Sequence, residues 1–133
     1  MAVFSDGDII AAVRAVLPDV QALTLFGSRA QGVERPDSDL DIAVMLPAPA
    51  DPVSLWESGE TIARTLNVDV DLVDLRKAST VMQFQIITTG RHLLAVTPEL
   101  ERYEAFIMAE MMDLNEARAP LLADIQREGR VHG

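Results

Sequence analysis

The feature that most restricts this chain is a short alternating segment, Asp39-Leu40-Asp41-Ile42-Ala43-Val44. Leu40, Ile42 and Val44 fall on one side of a two-residue period, with Asp39 and Asp41 on the other. That is the pattern of a strand with one buried face. The two carboxylates therefore share a face, their roots roughly 6–7 Å apart. Carboxylates at that separation can converge on one cation, or hold two cations about 3.5–4 Å apart. The apolar side fixes the strand to a core, so the acids stand on a rigid element, where a precise metal site belongs. The chain has no cysteine and only two histidines, His92 and His132, which excludes thiolate zinc sites and His-rich cages. Hard carboxylate oxygens favour Mg2+, with Mn2+ as the alternative, over zinc.

Upstream, Ala22 to Phe26 is an apolar stretch that ends in Gly27-Ser28 and reads as a strand feeding a turn. A turn of this kind, opening a helix, presents backbone N–H groups to an anion. Glycine allows close approach of the backbone, and the Ser28 hydroxyl can donate to a phosphate oxygen. A phosphate cradle beside carboxylate metal ligands describes a bound metal–nucleoside triphosphate. A third acid is expected from a later strand, Val68 to Leu75, where Asp69 and Asp71 share a face. Either could reach the site; Asp71 is the choice here, because Val70 and Leu72 on both sides place it mid-strand.

Elsewhere, Ser5 and Asp8 have the spacing of a capping box, and Ile9, Ile10, Val13, Val16 and Leu17 recur at helical spacing until Pro18. Residues 32–38 are a loop by composition. Helices are expected from about Val53 to Leu66, inward-facing through Leu55, Ile62, Ala63 and Leu66, and from a Ser79 cap through Ile87 to Gly90. Residues 91–96 read as a fourth strand. Thr97-Pro98-Glu99 then starts a C-terminal helix with Tyr103, Phe106, Ile107, Met111 and Leu114 on one stripe; Pro120 is expected to break or kink it. The order implies a mixed α/β (α+β) domain with a four- to five-stranded sheet. Residues 1–96 would form the catalytic core and 97–133 a helical extension packed on it.

Eleven basic against twenty-one acidic side chains give a net charge of −10 over 133 residues. Ten of the bases are arginine and one is Lys77. So acidic a chain is poorly suited to a nucleic-acid backbone, which needs clustered cations. No apolar run approaches the ~18 residues of a membrane span, and the N-terminus lacks the basic and apolar regions of a signal peptide. A cytoplasmic location is expected, with neither nucleic acid nor membrane as partner.

The pattern Gly27-Ser28, ten residues, then Asp39-Leu40-Asp41 resembles the signature of the polymerase-β-like nucleotidyltransferases. The single acid of that family's later strand is matched by Val70-Asp71-Leu72-Val73. The resemblance spans about residues 8–96. The short length and residues 70–80 resemble, more narrowly, the MNT antitoxins (the MntA type) of HEPN/MNT toxin–antitoxin pairs. The resemblance implies transfer of AMP from ATP to a tyrosine of a cognate HEPN ribonuclease toxin, which silences it. It implies Asp39, Asp41 and Asp71 as catalytic, metal-binding residues for two Mg2+ ions, and Gly27, Ser28 and Arg29 as nucleotide-binding residues, Arg29 steadying the triphosphate. Where many members carry a second arginine, this chain has Gln31, one phosphate-facing charge fewer. Alternatives are a minimal nucleotidyltransferase acting on a small alcohol or an antibiotic, and a non-catalytic antitoxin acting by occlusion.

Asp-x-Asp alone is common on solvated strand faces; the glycine turn at this spacing lifts it above that background. A calcium loop is excluded, because Ile42 and Ala48 stand where it needs Gly and Glu. No P-loop or dinucleotide fingerprint is present. The helical stripe at 103–114 fits a core contact, but Met108 and Met112 beside it widen the apolar face. A homodimer or hetero-oligomer contact is the rival reading there. His92 reads as a strand residue with a local hydrogen bond, and Trp56 as a half-buried anchor. Arg76 and Lys77 read as solvated charges or phosphate contacts.

Overall fold

The computed structural model describes residues 4–30, 32, 38–95 and 97–132, and side-chain surroundings for 4–30, 32, 38–94 and 98–117. Four strands form one sheet: β1 (Ala22–Phe26), β2 (Leu40–Met45), β3 (Val70–Asp74) and β4 (Arg91–Ala95), in the order β3-β2-β1-β4. β1 pairs antiparallel with β2 and with β4, whereas β2 and β3 run parallel. A parallel pair needs a long crossover, and the chain makes it through a helix at Pro52–Leu66.

Strand alternation divides the sheet into two faces. Leu23, Leu25, Leu40, Ile42, Val44, Val70 and Leu72 pack in one cluster with Ile9, Val13, Ile62 and Leu66 from the first two long helices, α1 (Asp6–Val16) and α3 (Pro52–Leu66). The single-turn α2 (Gly27–Ala30) lies between them in sequence. Ala22, Ala43 and Met45 face the other way, towards α4 (Thr80–Thr89) and α5 (Thr97–His132), meeting Ile86, Leu100 and Tyr103. Asp41, between Leu40 and Ile42, belongs to this second face.

The helices begin where side chains satisfy their free N–H groups. Ser5 and Asp8 form the expected reciprocal box: Asp8 N donates to Ser5 Oγ at 3.2 Å, and Ser5 N to Asp8 Oδ2 at 2.8 Å. Asp51 caps α3, accepting from Ser54 N at 3.0 Å, with Pro52 in the first turn. Asn67 ends α3 in the left-handed region, φ 56°. Ser79 caps α4, which continues to Thr89 rather than stopping at Ile87. Gly90 then turns directly into β4. Its backbone is extended, φ −77°, so glycine is needed there for room: an added Cβ would lie 2.6 Å from Thr24 Cγ2 and 2.9 Å from Leu25 O.

α5 departs from expectation in two ways. It continues to His132, so Pro120 does not end it; a proline costs a helix one hydrogen bond and a bend, not necessarily its continuity. Its inward stripe is Leu100, Tyr103, Ile107, Met111 and Leu114. Phe106 is 58% exposed, because it lies about 100° around the helix from Ile107. Met108 and Met112 are also exposed, on the opposite flank. Trp56 is a third correction: it is 67% exposed, projecting from the outer side of α3 while Leu55 and Ile62 pack inward.

Polar contacts tie the layers together. Gln83, buried on α4, donates from Nε2 to Ala78 O at 2.5 Å and accepts from the Tyr103 hydroxyl of α5. Burial pushes the Tyr103 phenol up to about 12, Asp74 adding to the rise and Arg76 opposing it. Arg91 forms a two-pronged pair with Asp6, at 2.5 and 3.2 Å, holding the Asp6 carboxyl below its usual range. Arg76 lies over the Tyr103 ring and donates to Gln21, and Lys77 donates to Ala50 O. Both follow the far end of β3, away from Asp71, which removes the phosphate contact considered for them. Among the described residues no helix is long and apolar enough to cross a membrane.

Gly90→Ala should destabilise the fold by about 1–3 kcal/mol, the usual cost of forcing a methyl into filled space. Urea unfolding of the two proteins measures it; equal midpoints would mean that β4 can move away from β1 at no cost.

Candidate active site

β1 ends at Phe26, which pairs with Asp41 of β2. The next residue, Gly27, has φ +73° and opens α2. An L side chain is strained at that angle, and a second constraint adds to it. A Cβ added to Gly27 would run into the carboxylate of Asp41, with Oδ2 the nearest atom and Cγ 3.1 Å away. The missing side chain of Gly27 is therefore the space that the Asp41 carboxyl occupies. Antiparallel pairing of β1 and β2 brings these two residues together, which accounts physically for the glycine and the aspartates occurring at a set spacing.

Across the parallel ladder, Asp41 is in register with Asp71, and neighbouring strands lie about 4.8 Å apart. Asp39 is exposed, just ahead of β2. Asp41 is half-buried, and its carboxyl is raised above the usual aspartate range. Burial is the main cause, then the charges of Asp71 and Asp39, with Arg29 pulling the other way. Asp41 thus lies within the electrostatic reach of both other acids. β3 begins only at Val70, so Asp71 is its second residue rather than mid-strand. Asp69 precedes the strand, its backbone carbonyl accepting from Leu40 N at 2.8 Å. Register therefore sets Asp71, not Asp69, beside Asp41.

Ser28 follows Gly27 at the opening of α2. With one turn only, α2 adds little helix dipole; what the turn offers an anion is its N–H groups and the Ser28 hydroxyl. Arg29 is engaged inward. Its Nη2 donates to Ser38 O at 2.7 Å, and its guanidinium lies 5.4 Å from the centre of the Phe4 ring. Nε is buried without a hydrogen-bond partner among the described residues. Arg29 thus holds the backbone immediately before Asp39, a tie that sequence reasoning missed. Gln31 and residues 33–37 of the expected loop lie outside the described residues.

His92 makes the local bond expected of it: Nδ1 is 2.6 Å from Thr24 Oγ1 on the neighbouring strand. Its other nitrogen reaches Glu104 of α5, Nε2 to Oε1 at 2.9 Å. That second contact had no signal in the sequence, since it depends on the rotational phase of α5.

The acids test the fit of a divalent cation. Asp39, Asp41 and Asp71 supply hard oxygens with mutual repulsion that a cation would relieve. Among the described residues no three His, Asp or Glu side chains close into a ready-made cage. Mg2+ is usually held by one or two carboxylates together with substrate phosphates and water, and the Asp41–Asp71 pair in register supplies two.

The raised Asp41 carboxyl has a stability consequence. The folded state holds this proton more tightly than the unfolded chain, so stability falls as pH rises through the raised value, and the penalty is complete at neutral pH. Asp41→Asn should raise the cation-free Tm at neutral pH by a few degrees, and the gain should vanish below the usual aspartate value of 3.8. Calorimetry across that range checks it; an unchanged Tm at neutral pH would mean that neither burial nor the neighbouring acids penalise the Asp41 charge.

Comparison with known proteins agrees with this geometry. Residues 8–99 match the family model described as Polymerase beta, Nucleotidyltransferase. The protein adenylyltransferase MntA of Shewanella oneidensis is 35% identical over 121 residues, 91% of this chain and 87% of that protein. A solved toxin–antitoxin structure with AMP-PNP superimposes with a TM-score of 0.83 at 34% identity, covering 92% of this chain and 99% of the matched one. Another, a tri-AMPylated Shewanella oneidensis HEPN toxin in complex with MNT antitoxin, gives a TM-score of 0.76 at 32% identity, covering 91% and 95%. The sheet, the glycine turn and the matched 8–99 segment lead to one conclusion: the chain belongs to the Polymerase beta nucleotidyltransferase family.

Proposed function

We propose that this chain is a Mg2+-dependent protein adenylyltransferase that acts as an antitoxin, transferring AMP from ATP to a tyrosine hydroxyl of a cognate HEPN toxin. The observation that carries the reading is the lodging of the Asp41 carboxylate against Gly27, in register with Asp71. It puts an anion-binding turn and a group of acids in one place. The similarity to an adenylyltransferase and to antitoxins solved with an AMPylated toxin supports the choice of acceptor.

In phosphoryl transfer the protein chiefly positions groups and offsets charge. Backbone N–H groups at Gly27 and Ser28 donate to the triphosphate, with the Ser28 hydroxyl as a further donor. Asp39, Asp41 and Asp71 are the groups that would hold two Mg2+ ions. When bound, the metal supplies charge neutralisation of the phosphates and a lower pKa for the attacking hydroxyl. Asp71 orients that hydroxyl and accepts its proton, so attack on the α-phosphorus is in line with the departing pyrophosphate. Arg29 keeps Asp39 in place by its hold on Ser38 O.

The double variant Asp39→Asn with Asp41→Asn should lower transfer of label from α-labelled ATP to the partner protein by at least about a thousandfold, as expected when the charge-stabilising groups are removed. Undiminished labelling would reject the mechanism. Loss of labelling with toxin neutralisation at full potency would instead establish occlusion as the mode of action.

A further inference from the structure

Beside the glycine turn is a depression of about 370 Å³ that the mechanism above leaves unused. It is lined by Phe26, Gly27, Met82, Gln85, Ile86 and Thr89. We propose that it receives the nucleobase of ATP, and that the side-chain amide of Gln85 reads the hydrogen-bonding edge of the base. This inference rests on the nucleotide reading given above and adds to it the residues that set base preference.

Position is the first argument. Gly27 is at once part of the phosphate-binding turn and a wall of the depression, so a nucleotide with its phosphates on the turn has its base within reach. The volume falls in the range of small-molecule sites. Lining chemistry is the second. None of the six residues is charged, which makes the depression unsuited to phosphate or to an acidic segment. Phe26, Met82 and Ile86 instead offer an aromatic ring, a polarisable sulfur and an aliphatic wall, surfaces that suit a flat heteroaromatic ring.

The third argument concerns which polar groups are free. α4 carries two glutamines two positions apart, and they differ in use. Gln83 is buried and spends both ends of its amide, on Ala78 O and on the Tyr103 hydroxyl. Gln85 is exposed, and its amide has no partner among the described residues. The Thr89 hydroxyl donates its proton to the Gln85 backbone carbonyl at 2.6 Å, which leaves it an acceptor only, so the Gln85 amide is the side-chain group that can offer a ligand both a donor and an acceptor. An amide pairs one donor with one acceptor, which matches the N6–H and N7 edge of adenine. Glutamate at this position would offer acceptors alone, which suit the N1–H and N2–H donors of guanine and oppose N7 of adenine.

Calorimetric titration of the full chain with AMP-PNP, GMP-PNP and inorganic tripolyphosphate, each with Mg2+, tests the assignment. Gln85→Glu should move the AMP-PNP to GMP-PNP affinity ratio about tenfold towards guanine, the scale of one matched pair of hydrogen bonds. Gln85→Ala should weaken AMP-PNP several-fold. Both variants should bind tripolyphosphate as the parent protein does. An unchanged ratio in a Gln85→Glu protein that still binds AMP-PNP would overturn the base pocket and leave the nucleotide reading intact. Failure of the parent protein to bind either AMP-PNP or tripolyphosphate would overturn both.

Discussion

The arrangement of this molecule depends on one contact, the Asp41 carboxyl filling the space where Gly27 lacks a side chain. Everything that the site needs follows from that proximity. β1 must end there, β2 must return antiparallel beside it, and the turn must take up a positive φ. A residue with a Cβ would displace the acid and strain the turn at once. The contact also brings the Asp41 carboxyl half out of water, into the company of Asp71 and Asp39. The protein thereby accepts an electrostatic penalty where a cation would be bound, a common compromise between stability and function.

The rest of the fold serves to hold that contact. The first face of the sheet carries the larger core and anchors β2 through Leu40, Ile42 and Val44. The second face uses the smaller Ala22 and Ala43 next to Met45, leaving room for α4 and α5. Gln83 and Tyr103 bind those two helices together, and His92 joins β4 to α5 through Glu104. Gly90 lets β4 start close against β1.

Much of this was legible in the residues alone, for identifiable reasons. Strict alternation at 39–44 and apolar repeats in α1 and α3 report strands and helices directly, because burial imposes those periods. Capping at Ser5 and Ser79 is a local matter of three residues and was equally readable. What the sequence did not reveal depends on the third dimension. Asp69 and Asp71 share a face and differ only in register, which the β2–β3 ladder decides. Phe106 looks like a core residue and Trp56 like a half-buried anchor by type, yet helix phase turns both outward. Arg29 looks like a phosphate ligand by its neighbours, but its hold on Ser38 O appears only when the turn and the entry to β2 are folded together. Pro120 has the propensity of a terminator, and α5 continues through it.

The parallel pairing of β2 with β3 has a consequence for how the molecule comes into being. Gly27 and Asp41 belong to adjacent strands and meet across a short length of chain, whereas Asp71 can join them only after the crossover helix has docked and closed a much larger loop. Closing the larger loop carries the greater entropic cost. The acidic cluster is complete only when β3 is paired beside β2. A nascent or partly unravelled chain would possess the turn without its complete set of oxygens, making competence a property of the finished sheet and of no smaller fragment.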